Sequence, residues 1–224
     1  MILITTYYNS ENEERREELK KCLLKNNENK YIEKIYLLND KIYDLDIIVY
    51  SNKIEQIIIS NENNSKLKFS DAIKFINENL IGNICILSNS DIYFDETLSK
   101  IDNMDNKCYA LLRYDEVNDT KEIFTRHGLP RDDSQDSWIF KSPFQLDLNK
   151  IDFSFGTLGC DSIFAKMIYD SKIELSNPSL DIVTTHVHKS NFRTYKFDEC
   201  IHGLYCLIKP TYLNEKAQFS FLEY

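Results

Sequence analysis

Asn89 and Asp91 are the residues best suited by type and spacing to chemistry. They are two residues apart in the segment 88–91, which directly follows the apolar run Ile84–Leu87. Alternate residues of an extended chain project to the same side, so both side chains can face one metal ion or one sugar hydroxyl. Asn, Ser and Asp also satisfy the backbone where a strand turns. The segment alone therefore predicts either a ligand site that includes Ser90 or an ordinary turn.

Asp161 is the second candidate. It follows a glycine-bearing turn, Phe155–Cys160, and opens a segment with apolar residues at helical spacing. Asp is a common helix N-cap, which is the structural interpretation of this position. The same placement puts a carboxylate at the mouth of a cleft, where it can serve as a general base. Asp136, in the polar segment 134–137, is a second candidate catalytic carboxylate.

Two of the four histidines, His186 and His188, are separated by a single residue at the end of an apolar segment. Alternate residues of a strand share a face, so both imidazoles can point the same way. Imidazole is a common ligand of transition metals. The pair indicates either two metal ligands, together with Asp91, or two structural histidines.

Four further residues have side chains that suit phosphate or sugar recognition. Arg15 and Arg113 each suit a phosphate or a structural carboxylate, and the sequence leaves both possibilities open. Gln135 and Trp138 lie with Asp136 in a segment that offers an amide, a carboxylate and an indole within five residues. Such a mixture suits an acceptor sugar, although a lone Trp is also a packing residue.

The elements that must position these residues alternate between strand and helix in the first half of the chain. Ser10 and Glu13 are spaced as a capping box that opens the first helix, and a second helix is predicted from Ser70. The pattern predicts an α/β fold with a mostly parallel sheet flanked by helices in a single domain. Such sheets bind ligands at the carboxyl ends of their strands, where Asn89 lies. The predicted strands are 2–5, 35–38, 47–50, 56–59, 84–87, 109–112, 123–125 and 182–185, with a third helix over 161–170.

The composition excludes several classes of protein. The 27 basic and 36 acidic residues leave a net charge of −9, which argues against nucleic acid as a partner. No apolar stretch reaches the length of a membrane span, and no leader segment is visible. The six cysteines have no metal-site spacing and are typical of small buried side chains in a reducing compartment. We expect a cytoplasmic protein.

Taken in order, these motifs resemble the glycosyltransferases of the GT-A fold over about residues 2 to 195. The resemblance implies that Thr5, Thr6 and Tyr7 hold the nucleotide base. It also implies that Asn89-Ser90-Asp91 stands where the family has its Asp-x-Asp motif, which binds a divalent metal and the donor diphosphate. Asn89 replaces the first Asp of that motif.

The strongest local resemblance is to the β-1,4-galactosyltransferases, whose Gly-Gly-Glu-Asp helix start is similar to Leu158-Gly159-Cys160-Asp161. It implies that Asp161 is the catalytic base and that His186 or His188 binds the metal, with His186 favoured. Cys160 replaces the family's Glu. Three further segments are similar to a group of bacterial and giant-virus glycosyltransferase-like proteins: 134–141, 177–179 and His186-x-His188-x-Ser190-x-x-Arg193-x-Tyr195.

The resemblance implies an inverting glycosyltransferase with a UDP- or GDP-sugar donor, Mn²⁺ or Mg²⁺ at Asp91, His186 and His188, and Arg15 and Arg113 near the donor. The acceptor would be a hydroxyl of a glycan, a protein or a small molecule. Residues 1–95 form the nucleotide-binding half and 96–224 the acceptor-binding half. Two alternatives stay open: a GT-A-like domain that binds nucleotide sugar or glycan without turnover, and a metal-dependent phosphoesterase or nucleotidyltransferase. The latter is disfavoured because such sites usually carry more carboxylates.

Overall fold

Helices and strands alternate through the first half of the chain, and short strands dominate the second. The computed structural model describes residues 1–45, 51–59, 66–118, 120–188, 190 and 200–224. Its helices are α1 (Glu13–Glu28), α2 (Phe69–Asn79) and α3 (Cys160–Asp170), with short 3-10 helices at Glu96–Lys100 and Leu148–Ile151. Its strands are β1 (Ile2–Thr5), β2 (Lys34–Asn39), β3 (Ile54–Ile58), β4 (Ile84–Ser88), β5 (Ile92–Phe94), β6 (Lys107–Leu111), β7 (Tyr114–Val117), β8 (Thr120–Ile123), β9 (Thr125–Arg126), β10 (Leu129–Pro130), β11 (Ser137–Lys141), β12 (Glu174–Ser176), β13 (Thr184–His186), β14 (Leu204–Ile208) and β15 (Phe219–Glu223).

The main sheet has seven strands in the order β12-β6-β11-β4-β1-β2-β3. Four of its six neighbouring pairs are parallel, and β11 runs antiparallel between β4 and β6. The predicted α/β fold with a mostly parallel sheet in one domain is therefore confirmed. A strand that runs antiparallel in such a sheet brings its amino end to the edge where its neighbours have their carboxyl ends.

The central strands are buried on both faces. Leu3 and Ile86 pack in one core with α1, whereas Ile4 and Leu87 pack in the other with α2 and α3; all four are 0% exposed. This alternation follows from the two-residue period of a strand, and it explains why β1 and β4 read as continuous apolar runs. Each fully buried side chain of this size stabilises the fold by about 1.5–3 kcal/mol.

A second sheet has the strand order β5-β13-β7-β8. Its strand β5 directly follows the polar segment that comes after β4. Its register places His186 opposite Ile92 on one side and opposite Asp115 on the other. Helix α1 is tied to this sheet, since Asn26 Nδ2 donates to the Ile92 carbonyl at 2.8 Å and Asn26 Oδ1 accepts from the Phe94 amide at 3.0 Å. The second sheet and α1 are thus fixed relative to each other.

Two helix starts differ from their sequence predictions. The predicted capping box of Ser10 and Glu13 is wrong, because Asn12 is the N-cap and its Oδ1 accepts from the Arg15 amide at 2.9 Å. Asn caps a helix as well as Ser does and stands next to the first helical residue. Helix α2 begins one residue before Ser70, whose hydroxyl donates to Asp152. The strand predicted over 47–50 lies outside the described residues.

The cysteines behave as the sequence predicts. All six are free, and five of them are buried. The five buried cysteines therefore act as small apolar side chains in the core. Among the described residues, no helix has the length and apolarity that crossing a membrane requires.

Candidate functional site

Three polar residues meet at the edge of the main sheet because of how its strands run. Asn89 follows β4, Arg113 follows β6, and Asp136 precedes the antiparallel strand β11. The register pairs Ser137 with Ser88 on one side. As a result, Asn89 Nδ2 donates to Asp136 Oδ1 at 3.1 Å, and the Asn89 amide donates to the Asp136 carbonyl at 3.1 Å.

Arg113 joins two carboxylates. Its Nε donates to Asp115 Oδ1 at 3.0 Å, and its Nη1 lies 3.3 Å from Asp136 Oδ1. The guanidinium carbon also lies 3.9 Å from the centroid of the Phe124 ring, a cation–π arrangement. Of the two partners that the sequence left open for Arg113, the structure provides the carboxylate.

Asp91 and the two histidines come together as predicted. His186 Nε2 lies 3.2 Å from Asp91 Oδ2, and His186 Nδ1 lies 3.0 Å from Asp115 Oδ1. The rings of His186 and His188 are nearly parallel, at 12° and 5.3 Å between centroids, so they do share a face. One donor atom from each of the three residues lies within 4.8 Å of the others, a spacing that would hold a metal ion.

A guanidinium already lies among these three residues. Arg15, on the first turn of α1, donates from Nη2 to Asp91 Oδ2 at 2.7 Å and from Nη1 to Glu18 Oε2 at 3.0 Å. The same Nη1 lies 2.9 Å from His188 Nδ1. The Arg15 and Asp91 side chains are only 8% and 12% exposed, so this is a buried ion pair.

The charges of this cluster follow from their mutual contacts. Burial alone would raise the pKa of Asp91, but the positive charges of His186 and Arg15 outweigh it and hold the pKa well below its usual range. Burial alone would lower the pKa of His186, but Asp91 and Asp115 raise it to about 9. Burial and the positive charge of Arg15 lower the pKa of His188. At neutral pH, Asp91 is ionised, His186 is charged and His188 is neutral.

Asp161 lies on the first turn of α3 and keeps part of its surface exposed. Burial, and next the negative charge of Asp136, raise the pKa of Asp161 to about 8. A carboxyl group with such a pKa can exchange a proton with a ligand near neutral pH. The preceding Gly159 has φ +82°, and a Cβ there would lie 2.1 Å from the Tyr205 hydroxyl oxygen. Only glycine fits this close approach between the start of α3 and Tyr205.

The predicted acceptor residues are not available to an acceptor. Trp138 is 1% exposed and packs edge-on against Phe164 with ring centroids 4.8 Å apart, and Gln135 is 0% exposed. The prediction is wrong for both. The reason for Trp138 is that β11 lies inside the sheet, between β4 and β6, so that its side chains enter the core.

The residues predicted to hold the nucleotide base differ in exposure. Thr5 and Tyr7 are buried, at 5% and 7%, and the Tyr7 amide donates to Asn39 Oδ1 at 2.8 Å. Thr6 and Ser90 are partly exposed. Of the base-binding segment, only the Thr6 side chain keeps surface for a ligand, so its role in base binding stays a prediction.

Two carboxylates of the cluster were missed as site residues. Glu18 is three residues after Arg15 on α1, a spacing at which helical side chains meet. Asp115 is two residues after Arg113, on a strand that pairs with β13. Both spacings are visible in the sequence, but only the paired strands show that Asp115 also contacts His186. Arg193 and Tyr195, which carry part of the resemblance, lie outside the described residues.

A separate groove of about 400 Å³ lies along α3 and the start of β14. Its lining combines two lysines and a histidine with apolar side chains. No residue of the charged cluster lines this groove. The lining residues are Lys150, Phe153, Ile163, Lys166, Met167, Ile201, His202, Gly203 and Leu204.

No family model matches this sequence, and no curated protein is significantly similar to it. Among solved structures, the chain is similar to a mannosyltransferase from Pyrobaculum calidifontis in complex with GDP-mannose and Mn²⁺. That similarity has 12% identity and a TM-score of 0.51 and covers 85% of this chain and 58% of the other. A second similar structure is that of S. aureus TarS with UDP-GlcNAc, at 14% identity and a TM-score of 0.48, covering 87% of this chain and 57% of that one. The chain thus spans less than two thirds of either protein, and by its similarity to the mannosyltransferase it has a GT-A-like glycosyltransferase fold.

Proposed function

We propose that this protein is a glycosyltransferase that transfers a sugar from a UDP- or GDP-sugar to a hydroxyl acceptor with inversion. The fold supports a nucleotide-sugar donor. The observation that carries the proposal is the meeting of Asn89, Asp136 and Arg113 at the edge of the sheet where open α/β folds bind ligands. Asp161, whose pKa Asp136 helps to raise, would be the general base.

In the proposed reaction, the acceptor oxygen attacks the anomeric carbon while Asp161 accepts the hydroxyl proton. The new bond forms as the bond from that carbon to the diphosphate oxygen breaks, and the nucleoside diphosphate leaves. One displacement with one base gives inversion. Holding the two substrates in line contributes several kcal/mol, on the order of 7–11 kcal/mol in well-oriented systems.

The two halves of the chain would have different roles in this reaction. Arg15, Asn89 and Asp91 belong to residues 1–95, which we propose to hold the nucleotide. Asp136 and Asp161 belong to residues 96–224, which we propose to hold the acceptor. The proposal depends on the charged cluster lying where the halves meet, and the Asn89–Asp136 bond supports this.

The leaving diphosphate needs a positive partner. A bound Mn²⁺ or Mg²⁺ would supply it as a Lewis acid, and one carboxylate with two imidazoles suits Mn²⁺ better than Mg²⁺, which prefers oxygen ligands. In the arrangement described, however, Asp91 and His188 both bond to Arg15. The residues present do not fit a metal ion while Arg15 is there, so the proposed reaction uses none.

A domain that binds nucleotide sugar or glycan without turnover is the second candidate. It is favoured by the buried ion pairs of Arg15, Asp91 and His186, which leave little accessible surface on these side chains. Only the first candidate predicts turnover, and the second predicts binding of either a nucleotide sugar or a glycan.

Two measurements test the proposal. Thermal unfolding is recorded with UDP-, GDP-, CMP- and dTDP-sugars; a donor at 100 times its Kd stabilises by about 2.7 kcal/mol. Release of nucleoside diphosphate is then measured with the stabilising donor and a set of acceptors. Asp161→Asn should abolish transfer, whereas Asp170→Asn, at the exposed end of α3, should not. Donor binding without turnover would support the second candidate. No binding of any nucleotide sugar would overturn the first candidate and would leave only the glycan-binding form of the second.

A further inference from the structure

We propose that Arg15 is the resident cation of the Asp91–His186–His188 cluster, and that the protein binds the diphosphate of its donor without a divalent metal ion. The first half of this inference depends on geometry alone. The second half rests on the proposed function. The GT-A resemblance predicted a metal ion at these three residues, and the position of Arg15 is what disagrees with it.

The guanidinium bridges the atoms that a metal ion would bridge. Asp91 Oδ2 and His188 Nδ1 lie 4.0 Å apart, and Arg15 donates to both, at 2.7 and 2.9 Å. A metal ion between these two atoms would overlap the guanidinium. Metal binding therefore requires Arg15 to leave.

The protonation of His188 supports the same conclusion. Arg15 has only donor N–H groups, so His188 Nδ1 must accept and its ring proton must lie on Nε2. The lone pair with which His188 Nδ1 would bind a metal is thus already used. Among the described residues none accepts from the Nε2–H, and the His188 side chain is 16% exposed.

Arg15 is held in place from two further sides. Its Nε lies within 3.3 Å of the Tyr8 hydroxyl, and Glu18 accepts from Nη1 at 3.0 Å. Glu18 is itself buried, at 5%. If Arg15 left, its ion pair with Glu18 would be lost together with its ion pair with Asp91, so displacement by a metal costs two ion pairs rather than one.

The guanidinium also suits the ligand that we propose. Four of its five N–H groups are engaged by Tyr8, Glu18, His188 and Asp91. The remaining N–H, on Nη2, has no partner among the described residues. A guanidinium keeps its charge at any physiological pH and matches the oxygens of a phosphate. We propose that this remaining N–H and the His188 Nε2–H are the two donors to the diphosphate.

The test of the first half is a titration of the metal-free protein with Mn²⁺, followed through the EPR signal of free Mn²⁺. The wild type should leave this signal unchanged in equimolar mixtures. Arg15→Gln should remove part of it, because the variant exposes the carboxylate and both imidazoles. Arg15→Gln combined with Asp91→Asn should restore the full signal. Stoichiometric uptake of Mn²⁺ by the wild type would overturn the inference, and so would an Arg15→Gln variant that folds but takes up none.

The second half is tested with UDP and GDP as probes in thermal unfolding of the wild type. The stabilising nucleotide should raise the Tm equally in EDTA and in Mn²⁺, and a shift that EDTA abolishes would overturn the inference. If Arg15→Gln does not fold, two measurements on the wild type still test the inference: its uptake of Mn²⁺ and the comparison of its Tm in EDTA and in Mn²⁺. If neither nucleotide binds while the Mn²⁺ results hold, Arg15 remains the resident cation and the proposed function fails instead.

Discussion

Arg15 and Asp91 are 76 residues apart in the sequence, yet Nη2 of the arginine lies 2.7 Å from Oδ2 of the aspartate. The contact arises because α1 packs on β5, the strand that follows Asp91 directly. From this pair, a series of four ion-pair contacts continues across the sheet edge, with distances of 3.2, 3.0, 3.0 and 3.3 Å between successive side chains. They connect, in order, Asp91, His186, Asp115, Arg113 and Asp136. The proposed donor site and the surroundings of the proposed base are thus parts of one charged network.

Asp91→Asn should destabilise the fold by about 3 kcal/mol. The substitution keeps the shape of the side chain but leaves the buried charges of Arg15 and His186 without their shared partner, and loss of one member of a buried pair typically costs this much. Urea unfolding at neutral pH measures the change. Glu55→Gln is the control, since its ion pair with Lys34 is exposed and worth less than about 1 kcal/mol. If the two substitutions lower the free energy of unfolding equally, the buried Arg15–Asp91 pair stabilises the fold no more than an exposed ion pair does.

Asp161→Asn should make the stability of the protein less sensitive to pH. The folded-state pKa of Asp161, about 8, lies above the ordinary value of 3.8 for an aspartate, so the folded state holds a proton that the unfolded state releases. Its contribution is fully present below about pH 4 and is lost as the pH rises through about 8. The free energy of unfolding of the wild type should therefore fall across this range relative to that of Asp161→Asn. Parallel urea-unfolding profiles of the two proteins at pH 5, 7 and 9 would show that the raised pKa is absent.

Transfer activity should rise with pH through about 8, because only ionised Asp161 can accept a proton. Arg113→Gln should move this midpoint to higher pH, since the guanidinium lowers the pKa of Asp161. Arg131→Gln is a matched control: Arg131 also faces the Phe124 ring but pairs with Asp133. The measurement is the pH profile of kcat/KM. A midpoint that moves equally in both variants would exclude a specific effect of Arg113.

Gly159→Ala should destabilise the protein more than Gly82→Ala. Both glycines have φ +82°, so both substitutions carry the same backbone strain, about 1–2 kcal/mol. Only at Gly159 would the new Cβ also clash, at 2.1 Å from the Tyr205 hydroxyl, whereas nothing lies within 4 Å at Gly82. The difference between the two unfolding free energies measures the clash. Gly159→Ala should also lower transfer, because it displaces the first turn of α3 and Asp161 with it.

The sequence by itself determined the local elements and the residues that follow them. Continuous apolar runs, which indicate strands buried on both faces, made β1 and β4 recognisable as central strands. The helical spacing of apolar residues located α3 to within one residue. The two-residue period of a strand predicted that His186 and His188 share a face, and their rings do stack, although β13 ends at His186 and His188 lies two residues beyond it.

Only the tertiary structure decided what surrounds those residues. Trp138 is buried because β11 inserts between β4 and β6, and Arg15 reaches Asp91 because α1 packs on β5. Both relationships join segments that are far apart in the chain, and nothing in their local patterns specifies the partner. Strand order and helix docking depend on how the whole core packs, so the sequence predicted a metal site where the folded chain places an arginine.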